Sequence, residues 1–401
     1  MDPNRRDVLR LAGAVALASA CGDNSPTKPA GDGAGSAIFE PTDAGFLVSA
    51  WSLYARSAMI EARAPDGTIV ASMQAVMTDA QAVAQIAGLE PSTAYTVAVL
   101  LDDGTLTTHQ IRTAPAPDDP RPITIAVSAD LDPQDPEFDS DIFTQIIALA
   151  PEVFITIGDV PYTDNGPEVA TTVPAYRNRH GLLRTHGHTR PWFQAMGMRA
   201  IYDDHEFRND WDGMRATDEP DRYAAAMQTW DEFFPLAATR PTDDVRYRSF
   251  RWGANVEGWI LDCRRFRSPN AQKDDAGKTM LGATQKAWLL AQLAASTAPF
   301  KLIFTSVPLD FGIGVDHWAG FVTEREEILR AIHDGAIGGV LFLSGDQHYF
   351  AAYKHSYGIR EFQVGPLARG LGTPGPDGPG VLFREVRYNF GLLDITPDSL
   401  T

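Results

Sequence analysis

Acidic residues, with tyrosine and histidine among them, follow four strand-like segments of this chain at the point where each segment ends. The segments are apolar and β-branched, which is typical of buried parallel strands. Ligands bind just beyond the carboxyl ends of such strands in open α/β sheets, so we expect these side chains to meet at one sheet edge. Converging carboxylates repel one another unless a cation lies among them, so the pattern predicts a metal site. The segments with the residues after them are Ile123–Val127 with Asp130, Val153–Ile157 with Asp159 and Tyr162, Met198–Tyr202 with Asp204 and His205, and Val340–Ser344 with Asp346 and His348.

The donor atoms in this set indicate what the site would bind. Carboxylate and phenolate oxygens with an imidazole suit Fe³⁺, Mn²⁺, Ca²⁺ or Mg²⁺ better than they suit thiolate-type zinc chemistry. Two cations bridged by one carboxylate would lie roughly 3.5–4 Å apart and would make a hydroxide available at neutral pH. Hydrolysis of a phosphate ester needs positive charge near both the attacking and the leaving oxygen. The set therefore predicts a metal-dependent phosphoesterase.

Two other functions remain open. His186 and His188 form an HxH pair, which binds zinc in other hydrolases, although this pair lies in a polar loop with no strand before it. A hydrolase of the amidohydrolase kind that uses this pair is the first alternative. The second is a non-catalytic, surface-binding lipoprotein whose β-rich N-terminal part does the binding.

The elements that position these residues change character along the chain, whose 401 residues predict two domains. Residues 37–115 alternate as all-β segments, and Tyr95 opens a strand after a Pro-containing corner, which is typical of immunoglobulin-like sandwiches. This part resembles a fibronectin type III module. After a short Pro/Asp linker, residues 122–401 show strand–helix–strand patterning, which predicts an α/β domain.

The N-terminus predicts export. Arg5 and Arg6 precede an apolar stretch too short to span a bilayer, and residues 1–21 resemble a twin-arginine (Tat) signal. The sequence around Cys21 resembles a lipoprotein cleavage site, with ordinary cleavage near Ala20 as the alternative. We expect the Tat machinery as a partner, a periplasmic or cell-surface location with a lipid anchor on Cys21 if it is processed, and a flexible linker over residues 22–36.

Composition and single residues add further expectations. The net charge of −18 argues against a nucleic-acid-binding surface. Cys263 follows an apolar run and is predicted to be a small buried hydrophobe. The acids Glu324, Glu326 and Glu327 are predicted to be exposed on a helix.

Taken together, these motifs resemble the PhoD-like alkaline phosphatase/phosphodiesterase family of metallophosphoesterases, from about residue 122 to the C-terminus. A β-rich module before the catalytic domain is also usual in that family. Individually the motifs are weak, and their order and spacing carry the resemblance. The motifs are Gly158-Asp159-x-x-Tyr162, Asp204-His205-Glu206, Asn209-Asp210, Leu261-Asp262-Cys263-Arg264, Leu281-Gly282 with Gln285 and Trp288-Leu289, Trp318 before Glu324-Arg325, and Gly345-Asp346-x-His348.

The resemblance implies a fold, an activity and a role for each residue. It implies a four-layer αββα domain that hydrolyses phosphomonoesters, phosphodiesters or both by a metal-bridging hydroxide. His205 would protonate the leaving group or stabilise the transition state, and Arg264 and Asn209 would bind substrate, with a structural ion pair as the alternative for Arg264. One metal, often Fe³⁺, would be bound by Asp130, Asp159, Tyr162 and His348, and the second, often Ca²⁺, by Asp159, Asp204 and Asp346.

One departure from the family concerns the metals. The family commonly has a cysteine after the first strand, where this chain has Asp130. A carboxylate there favours harder ions, so Mn²⁺, Mg²⁺ or Zn²⁺ remain alternatives. The natural ester also stays open among monoesters, nucleotides, phospholipid head groups and teichoic-type polymers, as does a truncated C-terminus.

Overall fold

The structure is a computed structural model that describes residues 33–401 except 136–137, 139–140, 167, 213–216, 237–239 and 243. The predicted signal peptide, with Arg5, Arg6 and Cys21, lies outside the described residues. The strands are β1 Ala34–Phe39, β2 Gly45–Ser52, β3 Ser57–Arg63, β4 Ile69–Val76, β5 Gln81–Ala87, β6 Ala94–Leu101, β7 Leu106–Arg112, β8 Ile123–Ser128, β9 Val153–Ile157, β10 Gly197–Ile201, β11 Arg248–Trp252, β12 Val256–Ile260, β13 Phe300–Phe304, β14 Val340–Ser344, β15 Phe350–Lys354, β16 Arg360–Gln363, β17 Val381–Glu385 and β18 Gly391–Ile395. The helices are α1 Ile142–Leu149, α2 Val173–Thr185, α3 Thr189–Ala195, α4 Pro220–Phe233, α5 Gly282–Ala295 and α6 Val322–Asp334.

Two seven-stranded sheets form the larger part of the molecule. The first has the order β18-β8-β9-β10-β1-β2-β5, and the second has the order β11-β12-β13-β14-β16-β15-β17. Strands β8, β9 and β10 are parallel, as are β12, β13 and β14. Every residue of β9 and β10 is buried, which is what a parallel strand covered on both faces requires.

The two sheets pack face to face, and helices cover their outer faces. Side chains of the first sheet, such as Ile125, share one apolar core with side chains of the second, such as Phe304 and Leu343. On the outside of the first sheet, the Trp192 ring of α3 lies 4.9 Å from the Phe154 ring. On the outside of the second sheet, α5 and α6 pack through a separate apolar cluster that includes Leu289. The helix–sheet–sheet–helix order agrees with the α/β architecture predicted for residues 122–401.

The β-rich N-terminal part shares a sheet with the α/β part. Strands β1, β2 and β5 face β3, β4, β6 and β7 across a common apolar core, and the Tyr95 hydroxyl accepts the Glu90 N–H at 2.9 Å. Strand β1 also pairs in parallel with β10 at Phe39 and Met198, which makes the first sheet continuous across the predicted domain boundary. The linker predicted over residues 22–36 extends too far, because Ala34 and Ser36 pair with β2; small residues there suit a strand edge as well as a tether.

A buried ion-pair cluster follows β1 and ties it to both sheets. The Glu40 carboxylate accepts hydrogen bonds from Arg199 Nη1 at 2.5 Å, Arg248 Nη2 at 2.6 Å and Arg248 Nε at 3.1 Å. Arg199 lies on β10 and Arg248 on β11, and all three side chains are buried. We call these three residues the Glu40 cluster.

The single-residue predictions had mixed outcomes. Cys263 is fully buried, as predicted, and burial raises the pKa of its thiol. Glu324 is buried, so the prediction of an exposed acid was wrong; its carboxylate accepts the Met280 and Leu281 N–H groups just before α5. The periodicity of α6 alone does not show that N–H groups at the start of the neighbouring helix α5 need a hydrogen-bond acceptor from Glu324. Within the described residues, no helix has the length and apolar character that crossing a bilayer requires.

Candidate metal centre

The loops that carry the predicted ligands adopt an unusual backbone conformation. Asp130, Asp159, Asp346 and His348 have φ angles of 60°, 57°, 77° and 59°. Such left-handed conformations are uncommon for residues other than glycine and cost about 1–3 kcal/mol each, and they cluster at functional sites. Each of these residues lies two to four positions after the end of β8, β9 or β14. These backbone conformations direct the four side chains into one region, and packing elsewhere in the fold must compensate for their strain.

Gly158 explains why glycine precedes Asp159. Its φ is +114°, and a Cβ atom there would lie 2.5 Å from the Cβ of Asp203. No larger residue fits between the ends of β9 and β10, so the Gly-Asp pair is a packing requirement of the site.

A first group of ligand atoms contains Asp130, Asp159 and His348, with one atom from each lying within 4.8 Å of the others. The Tyr162 hydroxyl joins this group, at 3.0 Å from Asp159 Oδ2 and 2.7 Å from His348 Nε2. His348 Nδ1 donates to the Gly370 carbonyl oxygen at 2.7 Å, which leaves Nε2 as the lone-pair nitrogen that faces the group. These four residues are the ones that the family resemblance assigned to the first metal.

A second group contains Asp159, Asp203, Asp204 and Asp346, also with one atom each within 4.8 Å of the others. Asp159 belongs to both of these groups, which is the position that a bridging carboxylate requires. Two further groups contain Asp204, one with Asp159 and His205 and the other with Asp210 and Asp316. Asp203 was not predicted as a ligand. Its carboxylate accepts hydrogen bonds from Arg264 Nε and Nη2 at 2.6 and 2.7 Å and from the Ser306 hydroxyl at 2.5 Å. These contacts connect the loop after β10 to Arg264 and Ser306.

The protein balances only part of the charge in this region, through Arg264, which pairs with Asp203 and lies 3.5 Å from Asp204. Burial, followed by repulsion from neighbouring carboxylates, raises the pKa of Asp130, of Asp159 and of Asp346 well above the ordinary value. Asp130 Oδ2 and Asp204 Oδ1 are buried with no hydrogen-bond partner among the described residues. Orphaned buried carboxylate oxygens are costly. The donor set of carboxylates, one phenol and one imidazole therefore fits two hard cations.

His205 lies within reach of Asp159 and Asp204, and three contacts fix its position. Nδ1 is 2.7 Å from Asp164 Oδ1, the ring stacks on Tyr162 at 4.0 Å, and the backbone N–H donates to Asp159 Oδ1 at 3.1 Å. Burial lowers the pKa of His205, but the charges of Asp204 and Asp164 outweigh it and raise the pKa to about 9. A protonated imidazole held in this way is chemically able to donate a proton.

The two predicted substrate-binding residues lie in different surroundings. Arg264 is fully buried, and its guanidinium is bound by Asp203 and, at 2.5 Å, by Asp316 Oδ2. That is the structural ion pair that the sequence left as an alternative. Asn209 is exposed near the centre, and its backbone N–H donates to Asp164 Oδ2 at 2.7 Å.

The alternative zinc pair does not form a ligand group. The His186 ring packs on Phe138 at 4.2 Å and lies 5.7 Å from the His188 ring. Among the described residues, neither histidine belongs to a cluster that could hold a metal.

Two acids organise the centre in ways that sequence reasoning did not predict: Asp164 was not singled out, and Glu206 was named in a motif without a role. Asp164 orients His205, and Glu206 accepts the N–H groups of Asp159, Val160 and Asp203 at 3.0, 2.7 and 3.0 Å. Glu206 thereby joins the loops after β9 and β10. Its position next to Asp204 and His205 indicated that Glu206 belongs to the centre. The sequence does not tell whether such an acid binds metal or accepts backbone N–H groups.

Comparison with known proteins shows the family to which the chain belongs. A family model described as PhoD-like phosphatase matches residues 141–375. The chain belongs to the PhoD-like phosphatase family. Alkaline phosphatase D of Bacillus subtilis (strain 168) is 28% identical over 214 residues, which are 46% of this chain and 36% of that protein. The chain thus matches about a third of the length of this curated PhoD-like relative.

Solved structures show the fold that goes with this family. A structure of PhoD has a TM-score of 0.79 at 20% identity, covering 90% of this chain and 84% of that chain. The purple acid phosphatase PPD1 from yellow lupin (Lupinus luteus) seeds has a TM-score of 0.65 at 14% identity, covering 90% of this chain and 69% of that chain. The chain therefore has the fold of PhoD, which is also similar to that of a purple acid phosphatase.

Proposed function

We propose that this chain is a metal-dependent phosphoesterase that hydrolyses phosphomonoesters, phosphodiesters or both. The observation that carries the proposal is that Asp159 belongs both to the group that contains Asp130 and His348 and to the group that contains Asp204 and Asp346. Membership of the PhoD-like phosphatase family supports it.

Each ligand group has a stated role in this proposal. Asp130, Asp159, Tyr162 and His348 would hold one cation, and Asp159, Asp204 and Asp346 would hold the second. Two bound cations would supply positive charge to the phosphate and lower the pKa of an attacking water. The protein itself keeps His348 Nε2 free of its proton through Gly370 and uses Glu206 to fix the Asp159 loop.

We assign the proton-donor role to His205. Asp164 holds Nδ1, so Nε2 is the atom that delivers a proton to the leaving oxygen. Stacking on Tyr162 fixes the plane of the ring. Loss of such a positioned acid costs about 10²–10⁴ in rate.

The test is metal analysis of the whole protein combined with assays on a phosphomonoester and a phosphodiester. We expect two metal equivalents and hydrolysis of at least one ester. A variant with both His186→Ala and His188→Ala is the matched control and should keep metal and activity. If the His186→Ala, His188→Ala variant lost its metal while Asp159→Asn kept all of its metal, the alternative of an amidohydrolase that uses the histidine pair would be favoured.

For the metals themselves we propose Fe³⁺ in the group that contains Tyr162 and Ca²⁺ in the other, with Mn²⁺, Mg²⁺ and Zn²⁺ as alternatives. The Tyr162 hydroxyl lies within 3.0 Å of donor atoms of two other ligands of its group. A phenolate bound to Fe³⁺ absorbs visible light, so the iron-loaded protein should be coloured and Tyr162→Phe should bleach it. A colourless, active protein without iron would contradict this assignment.

We also propose the domain organisation and the export route. Residues 37–115 would be a fibronectin type III-like module, supported by the facing strand sets and the Tyr95 hydrogen bond, and residues 122–401 the phosphatase domain. Export would use residues 1–21 and a lipid on Cys21. Replacement of both Arg5 and Arg6 by lysine should block export, and Cys21→Ser should release active protein from membranes. A Cys21→Ser protein that stays in the membrane fraction would refute the anchor.

A further inference from the structure

Arg369 lies at the edge of the metal centre, on the segment that follows β16. Its neighbours in the chain are attached to two candidate ligands. The Ala368 N–H donates to the Asp130 carbonyl oxygen at 3.2 Å, and the Gly370 carbonyl oxygen accepts from His348 Nδ1. The backbone at Arg369 is therefore fixed relative to Asp130 and His348.

The Arg369 side chain extends over Tyr162. Its Cζ atom is 4.7 Å from the centroid of the Tyr162 ring, and that ring carries the hydroxyl of the first ligand group. The side chain is 32% exposed. The guanidinium thus contacts a candidate ligand and is also reachable from solution.

The donors of Arg369 are not saturated by the protein. Nη1 lies 3.6 Å from Asp132 and 3.7 Å from Asp135, longer than the roughly 2.7–2.9 Å of a charge-assisted hydrogen bond. Nε is buried with no hydrogen-bond partner among the described residues. The two acids and the Tyr162 hydroxyl restrain the guanidinium, and an added anionic acceptor would give Nη1 the short charge-assisted hydrogen bond that Asp132 and Asp135 do not supply.

Arg264 differs on each of these points. It is fully buried, and three of its nitrogen atoms are bound by Asp203 and Asp316. A substrate oxygen at Arg264 would have to displace one of these ion pairs. The anion-binding role that the resemblance implied for Arg264 is therefore better filled by Arg369.

We propose that Arg369 binds the third non-bridging oxygen of a phosphomonoester and thereby favours monoesters over diesters, an inference that rests on the proposed phosphoesterase function. A monoester has three non-bridging oxygens and about two negative charges at neutral pH. In a diester, an uncharged ester oxygen takes the third place. Cations in the two ligand groups would compensate part of the monoester charge, and the remaining oxygen needs a donor from the protein. The planar guanidinium fork suits such an oxygen.

The experiment compares Arg369→Met with the unchanged full chain after metal loading. The substrates are p-nitrophenyl phosphate and bis(p-nitrophenyl) phosphate, and inorganic phosphate is the inhibitor. Loss of one charge-assisted hydrogen bond predicts a roughly 10- to 100-fold lower kcat/KM for the monoester. The diester should change far less, and inhibition by phosphate should weaken with the monoester rate. Arg387→Met is the matched control, since Arg387 is 64% exposed and paired with Glu385; it should leave both rates unchanged.

Each other outcome has a defined meaning. Equal losses on both esters, or no loss on either, would overturn the monoester role of Arg369 while leaving the proposed function intact. If Arg369→Met does not fold, Arg369→Lys decides, because it keeps the charge near Asp132 and Asp135 but lacks the fork; we expect a smaller, still monoester-selective loss. If the unchanged protein hydrolyses neither ester, the proposed function fails, and calorimetric binding of inorganic phosphate then tests Arg369, with unaltered affinity in Arg369→Met refuting it.

Discussion

The Glu40 cluster and the metal centre are both buried groups of charged side chains, and they resolve the cost of burial in opposite ways. In the Glu40 cluster, one carboxylate is bound by two guanidinium groups with short hydrogen bonds. In the metal centre, several carboxylates share a small volume, and two of their oxygens have no partner among the described residues. The balanced ion pairs of the Glu40 cluster connect the two sheets, whereas the excess negative charge of the metal centre is suited to binding cations.

The pKa values express the same contrast. Burial would raise the pKa of Glu40, but Arg199 and Arg248 outweigh it and hold the pKa below its ordinary value. Burial also raises the pKa of Asp159, and there the neighbours Asp204 and Asp203 raise it further. A carboxylate-to-amide substitution should therefore have opposite effects on stability in the two regions.

Asp159→Asn should have the largest effect on function. It removes the carboxylate that both ligand groups share, so we expect loss of both metal equivalents and of measurable ester hydrolysis. The metal-free variant should unfold at a higher urea concentration than the metal-free unchanged protein, because one repelling charge has gone. Elemental analysis and urea denaturation after chelation measure the two effects, and two metal equivalents in the variant would refute the shared ligand.

His205→Ala tests whether His205, which lies within reach of Asp159 and Asp204, acts as a proton donor or as a metal ligand. We expect turnover to fall by about 10²–10⁴ while metal content stays unchanged. Asp164→Asn should give a smaller loss of turnover, since it only loosens the ring. Near-normal turnover in His205→Ala would assign the ring a structural role, and loss of metal would make it a ligand.

Glu40→Gln should show the largest loss of stability. Removal of one partner from a buried ion pair costs about 3–5 kcal/mol, because the remaining charge is left uncompensated. Urea denaturation should show this loss with or without chelator, and the folded fraction should still bind metal. A stability loss that depends on metal would contradict the separation of the two regions.

The pH dependence of that loss is the smallest of the predicted effects. The pKa of folded Glu40 lies below the ordinary value of 4.5, so its stabilisation is present above pH 4.5 and is lost as the pH falls through the folded-state pKa. The difference in unfolding free energy between Glu40→Gln and the unchanged protein should therefore be constant at neutral pH and shrink below pH 4.5. A difference that grows on acidification would show that Arg199 and Arg248 do not lower this pKa.

The sequence predicted much of the centre because strand ends are local features. A buried parallel strand has a recognisable apolar pattern, and parallel strands bring their carboxyl ends to the same edge. Asp159, Asp204 and Asp346 could therefore be placed together without knowledge of any loop, and the structure does bring them together. Cys263 was predictable for the same reason, since burial follows from the apolar run before it.

Residues that act through distant partners were decided only by the tertiary structure. Glu40 lies 159 positions from Arg199 and 208 from Arg248, and nothing in its local sequence indicates either contact. Arg369 lies over the Tyr162 ring, and Glu324 accepts an N–H group just before α5. Neither contact can be predicted from the pattern of residues around Arg369 or Glu324. Local periodicity fixes which face of an element is buried, whereas the partners of a charged side chain depend on how separate elements pack. The candidate ligands were therefore readable from the sequence, and the residues that orient them, balance the charge and join the two sheets were not.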